Sequence, residues 1–141
     1  MRTVRRAAIA VVLAVIAVAG WMHFRPSPPP DRPLPPASAP VADVAKAYLD
    51  AAVRQYCAFT EALTVGRTLA WCTSPTMTAY RNIEQPVLLS KEQAGRDEQC
   101  VSFEMTSTES SDGSLTAGTR PWSLCFVDTP NGWRLNDQGF L

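Results

Sequence analysis

An α+β domain carried outside the cytoplasm behind an apolar N-terminal segment is the organisation this sequence predicts. Three observations predict it. Residues 7–22 form an uncharged apolar run behind Arg2, Arg5 and Arg6; apolar residues from Val44 to Phe59 recur at helical spacing; and from Gln99 to Asp128 the apolar period changes to two on either side of the polar stretch Ser110-Ser111-Asp112-Gly113-Ser114. The 141 residues leave room for one ordinary domain beyond the apolar segment.

Residues 1–25 read as a signal-anchor. A bilayer core of about 30 Å asks for roughly 20 apolar residues, which residues 7–24 approach with Trp21 and Phe24 at their far end as interfacial anchors. The basic flank predicts a cytoplasmic N-terminus and an extracytoplasmic C-terminal domain. The competing reading is a signal peptide cleaved near Ala19, where Ala17-Val18-Ala19 has the small-x-small form, and the domain is then secreted. Both readings export it. In residues 26–40, eight of fifteen are proline, which predicts an extended linker on the order of 45 Å long at about 3.1 Å per residue. From Val41 to Leu141, eight Lys and Arg stand against twelve Asp and Glu, a net charge of −4 that argues against nucleic acid as a partner.

The domain, residues 41–141, opens with Val44, Ala45, Tyr48, Leu49, Ala52, Val53, Tyr56 and Phe59 on one side and Asp43, Lys46, Asp50, Arg54 and Glu61 on the other. That pattern predicts one amphipathic helix of about five turns after Pro40, ending near Ala62. A short helical turn is expected around Leu69 to Cys72, then a short helix with Ser74 as N-cap and Pro75 in its first position, ended by Pro86. Ser90 and Gln93 suit a capping box for one further turn.

In the alternating region Val101, Phe103 and Met105 share one face of the first run, and Trp122, Leu124 and Phe126 one face of the second. Asp112-Gly113 is a favoured pair for a two-residue type I′ loop, which sets position i opposite 225 − i. The dry faces then coincide and Cys100 falls opposite Cys125, at a separation a disulfide spans. Four cysteines allow three pairings; this one leaves Cys57 for Cys72. Pro121 has its missing N–H directed away from the first strand. "TPNG" turns the chain into a last strand. A three-residue loop there puts Trp133 and Leu135 on the Cys125 face, a two-residue loop on the dry face.

Helices followed by hairpin strands, with "VAKAYLDAAVRQYCAF" as first helix and "NGWRLNDQGFL" as ending, resemble the nuclear-transport-factor-2-like superfamily, in particular small membrane-anchored exported members of actinobacterial type. The resemblance implies a long helix and shorter ones packed into the concave face of a curved antiparallel sheet, a cone. Tyr56, Phe103, Met105, Trp122, Leu124 and Phe126 would line any pocket in it for a small hydrophobic ligand. Enzymes of the superfamily use a cavity carboxylate with a tyrosine or histidine. Here Asp50, Glu104, Tyr48, Tyr56 and Tyr80 are the available players, and His23, the only histidine, sits at the membrane edge.

No residue matches that catalytic pattern, and no C-x-x-C, metal-ligand set or phosphate loop occurs, so neither enzyme activity nor a cofactor is expected. The expectation is a noncatalytic accessory or scaffolding domain of a cell-envelope assembly, associated with secretion or transport, with a protein partner there. A small-molecule or lipid-binding exported domain is the alternative, and an isomerase or cyclase ranks third.

Overall fold

The computed structural model describes residues 32–66, 68–89 and 97–140. The apolar segment and the Ser90–Gln93 turn lie outside these residues. Among the described residues no helix is long and apolar enough to cross a membrane.

Two short helices are followed by a five-stranded antiparallel open sheet. The helices are α1 (Val41–Val53) and α2 (Cys57–Ala62), and the strands are β1 (Met77–Arg81), β2 (Val87–Leu89), β3 (Glu98–Ser107), β4 (Gly118–Val127) and β5 (Arg134–Gly139). The sheet runs β1-β3-β4-β5, with β2 joining β1 end to end along the outer edge of β3.

The single long helix expected from periodicity is therefore two. Gln55, at φ 59°, lies in the left-handed region, and the Tyr56 N–H reaches the Ala51 carbonyl (2.9 Å) while the Gln55 N–H reaches that of Ala52 (3.2 Å). This is a Schellman ending in which glycine usually takes the left-handed position. Gln55 occupies it with help from its own side chain, whose Nε2 donates to the carbonyls of Ala52 (2.6 Å) and Trp71 (3.1 Å). Because Tyr56 and Phe59 resume in phase, the apolar pattern carries no mark of the break.

The expected helical segments after Gly66 are corrected as well. Residues 68–76 are irregular, and the chain that follows Pro75 is strand β1. Thr76, Thr78 and Tyr80 favour strand, but a bulge between Met77 and Ala79 breaks the alternation that would have revealed it.

Strands β3 and β4 pair throughout at i opposite 225 − i, including Val101 with Leu124 and Phe103 with Trp122. The turn is wider than the two-residue loop expected. Ser110 N–H donates to the Leu115 carbonyl (2.8 Å), enclosing four residues, with Gly113 at φ +72°. Loops of two and four residues share the same centre, so the register is unaffected. At the next turn the Thr129 and Gly132 backbones exchange two hydrogen bonds around Pro130-Asn131. The two-residue alternative therefore holds, and Leu135 faces Phe126 on the dry side.

The inner face of the sheet and the buried side of α1 form one core that includes Val44, Tyr48, Leu49, Phe59, Trp71, Val101, Phe103, Met105, Trp122, Leu124, Phe126 and Leu135. Each large apolar side chain so buried contributes about 1.5–3 kcal/mol. Residues 32–40, assigned by composition to the linker, lie on the domain: Leu34 and Ala39 pack against the core, and the Arg32 guanidinium sits 4.4 Å from the centre of the Tyr56 ring.

Candidate functional site

Phe103, Met105, Trp122, Leu124 and Phe126, the expected pocket lining, are buried in the core, and Tyr56 is half-buried beside them under Arg32. They fill space rather than enclose it, with Tyr48 and Phe126 meeting edge to face at 6.5 Å. Trp122 alone also borders a cavity.

Its position is set by a polar hub that sequence reasoning missed. Gln138 Oε1 accepts from the indole N–H of both Trp71 (2.7 Å) and Trp122 (3.2 Å), while its Nε2 donates to Thr68 Oγ1 (2.7 Å) and the Leu69 carbonyl (2.5 Å). The amide orientation is forced, since an indole only donates and a carbonyl only accepts. A register shift in β5 after Leu135 creates this arrangement. It places Gln138 opposite Leu124 on the inner face, which strict alternation would have given to Asp137.

The cavity, of about 260 Å3, lies between the 69–75 segment, the β3–β4 turn and the end of β5. Leu69, Pro75, Leu115, Trp122 and Phe140 make its apolar wall, and Ser74, Ser110, Ser111, Asp112 and Ser114 its polar rim. The Trp122 and Phe140 rings meet edge to face at 4.8 Å. Asp112 Oδ1 accepts from the Ser114 N–H (3.0 Å) and hydroxyl (2.7 Å). Hydrogen bonds from the Ser110 and Ser114 side chains hold the Asp112 carboxyl at about 2, well below the usual carboxylate range. The sequence marks "SSDGS" only as a turn. Its serines acquire a second role because the cis Ser74-Pro75 segment and Phe140 come up beside them.

The candidate catalytic groups do not assemble. Asp50 accepts from Tyr80 (2.6 Å) and Lys46 (2.9 Å) at the domain surface, and Glu104 from Arg81 (2.5 Å) and Asn82 (3.2 Å) on the outer face. Burial pushes the Asp50 carboxyl up, but the bonds from Tyr80 and Lys46 and the charges of Lys46 and Arg54 outweigh it and leave the group below its ordinary value. Burial and then Asp50 push the Tyr80 phenol up. A carboxylate stabilised in its ionised form is a poor general base. Tyr48 is fully buried and donates to the Leu69 carbonyl (3.1 Å).

Comparisons with protein-family models, curated proteins and solved structures found no match. Function is therefore read from the side chains of this chain alone. Among the described residues no group of three or more His, Cys, Asp or Glu is placed to hold a metal ion.

Cys100 and Cys125 are disulfide-bonded across β3 and β4 with their Cα atoms 4.0 Å apart. Cys57 and Cys72, expected to pair, are free thiols in the structure. They are neighbours: Cys57 Sγ donates to the Cys72 carbonyl (3.6 Å), and Cys72 Sγ lies 3.1 Å from Thr60 Oγ1 and 3.4 Å from the Ala70 carbonyl. The helix break at Gln55 starts a new helix at Cys57, and each sulfur finds a polar neighbour without bonding the other. Burial first, and Cys57 second, push the Cys72 thiol up to about 12, against a lowering contact from Thr60.

The thiolate is the species that alkylates. At pH 8 the folded chain should therefore react with iodoacetamide at Cys72 roughly a thousandfold more slowly than the urea-unfolded chain, the rate rising about tenfold per pH unit. Mass-spectrometric time courses read this directly. Equal rates would refute the buried-thiol environment, and a recovered Cys57–Cys72 bond would reinstate the second disulfide.

Proposed function

We propose that the chain is a membrane-anchored, extracytoplasmic, noncatalytic accessory or scaffolding domain of a cell-envelope assembly, built on a nuclear-transport-factor-2-like cone. The observation that carries this reading is a core filled by its own side chains together with apolar residues left on the outside. Ile83, Val87 and Leu88 are exposed along the β1–β2 edge, Val87 by 60% and Leu88 by 63%. A filled interior offers a substrate little room, and an apolar edge strand offers a partner both side chains and unpaired backbone groups. The Cys100–Cys125 bond supports an oxidising compartment.

The docked linker adds a geometric consequence. With residues 32–40 on the domain, residues 25–31 alone separate it from an anchor at residues 7–24, and seven residues reach at most about 25 Å. The Arg32 side of the domain is then juxtamembrane, well inside the 45 Å expected from composition.

In-cell photocrosslinking tests the reading. A photoreactive residue replacing Leu88 should give one defined envelope-protein adduct, lost when residues 1–25 are deleted. The same residue replacing Asn131, at the far turn, should give none. No adduct from positions 83, 87 and 88 would overturn the interaction role. The cavity beside Trp122 favours the small-molecule reading as the second.

A further inference from the structure

The cavity between Leu69, Pro75, Trp122, Phe140 and the β3–β4 turn has a hydrogen-bonding character that its residue types conceal. Serines are both donors and acceptors, so a rim of four serines looks indifferent to its ligand. Here the protons are already placed. Ser74 donates to the Glu109 carbonyl (3.0 Å) and Ser114 to Asp112 Oδ1 (2.7 Å). Ser110 Oγ lies 3.2 Å from Ser114 Oγ, and the Ser110 hydroxyl, like that of Ser114, hydrogen-bonds the Asp112 carboxylate. The Trp122 indole N–H, the one donor in the apolar wall, is directed to Gln138. Of the side chains lining the cavity, Ser111 alone has a polar hydrogen without an acceptor among the described residues.

What remains toward the cavity is therefore lone pairs, the Asp112 carboxylate, the one Ser111 hydroxyl proton and two aromatic rings. Such a surface repels anions and offers an acceptor ligand no side-chain donor except the Ser111 hydroxyl. It attracts a cationic donor through the Asp112 charge and the ring faces, and the domain's net charge of −4 acts in the same direction. We infer that this cavity binds a protonated amine on a short apolar chain, with Asp112 as the counter-charge and Trp122, Phe140 and Leu115 as the apolar wall. The volume of about 260 Å3 suits a lysine-sized group rather than a lipid tail. The source is either a free alkylamine or a lysine side chain of a peptide. The inference stands apart from the β2-edge interaction and survives its failure.

The test is NMR titration of the full chain in an uncharged maltoside detergent, which adds no competing ammonium group. The readouts are the Trp122 indole and the Asp112 and Ser114 amide resonances. The ligands are n-butylammonium, N-acetyl-lysine methylamide, 1-butanol as the uncharged analogue, and potassium chloride at matched ionic strength. Both amines should shift these resonances saturably, with Kd on the order of 1–10 mM for ligands of so few atoms. 1-Butanol and the salt should not.

Asp112→Asn keeps the Oδ1 acceptor and removes the charge, and should weaken amine binding about fivefold. Phe140→Ala removes an exposed ring and should weaken it about threefold. If the lysine derivative binds at least fivefold tighter than butylammonium the source is a peptide side chain, and equal affinity assigns free amines. Equal binding of 1-butanol, unchanged affinity in Asp112→Asn, or no shift up to 50 mM amine would each overturn the inference.

Discussion

Replacing Gln138 with leucine is expected to destabilise the domain by about 2–5 kcal/mol, a large part of the roughly 5–15 kcal/mol available to a domain of this size. The substitution keeps apolar bulk and removes four hydrogen bonds at once. Trp71 and Trp122 are 1% and 6% exposed, so neither indole N–H can turn to water, and each is left buried without a partner at about 1–3 kcal/mol. The Leu69 carbonyl and Thr68 lose a donor as well, although Leu69 keeps the Tyr48 hydroxyl. The 68–72 segment is irregular and is held at its other end by Gln55 on the Trp71 carbonyl, so loosening should concentrate there.

Gln138→Glu makes the discriminating control. It retains an acceptor for both indoles while placing a carboxylate against the Leu69 carbonyl, and should fall between wild type and the leucine variant. Thermal unfolding reads the stability, with roughly 4–8 °C in Tm for each kcal/mol, and near-ultraviolet circular dichroism reads the tryptophan packing. A Gln138→Leu variant within about 1 kcal/mol of wild type would show that the hub is dispensable.

Gln138 also marks where sequence reasoning stops. The pairing of β3 with β4 was readable to the residue, because two alternations and a cysteine pair all demanded one centre of symmetry between Asp112 and Gly113. An error in turn type left that centre in place. The α+β class and the Cys100–Cys125 bond followed from the same few residues. Gln138 was not readable, since alternation from Leu135 leads to Asp137, and only a bulge, which the residues themselves do not announce, brings the amide inside.

The break at Gln55 is hidden for a similar reason: its left-handed backbone is supported by the glutamine's own contacts to Ala52 and to Trp71, sixteen residues away. Strand β1 was mistaken for helix because its partner on β3 supplies what its local pattern lacks. The cavity rim shows the same limit, since five residues of one turn became a surface only when Ser74, Pro75 and Phe140 arrived from distant parts of the chain. Local chemistry was legible and tertiary placement was not.

The second large effect is expected from Gly66→Ala, a substitution of a single methyl group. Gly66 follows the short parallel bridge of Thr64 with Leu135, where Leu135 N–H donates to the Leu63 carbonyl (2.7 Å) and the Val65 and Gly66 N–H groups both approach the Leu135 carbonyl (2.8 and 3.3 Å). A Cβ on residue 66 would fall within the van der Waals envelope of the Asn136 carbonyl oxygen. The obstacle is backbone at the bulge of β5, so no rotamer change relieves it. Either the 63–66 segment lifts from β5 and gives up these bonds, or the bulge moves and withdraws Gln138 from the two indoles.

Overpacking in a well-packed interior usually costs about 1–3 kcal/mol, and loss of the attached hydrogen bonds should carry this case to the upper end or beyond. The expected result is a Tm lowered by more than about 10 °C. The two routes are separable: lifting leaves Trp71 and Trp122 in their native environment while amide exchange accelerates at Val65 and Leu135, whereas movement of the bulge changes the near-ultraviolet tryptophan spectrum as Gln138→Leu does. A Gly66→Ala variant of wild-type stability would mean that the close approach of residue 66 to Asn136 does not exist in solution, and with it would go the bulge that aims Gln138 at the core.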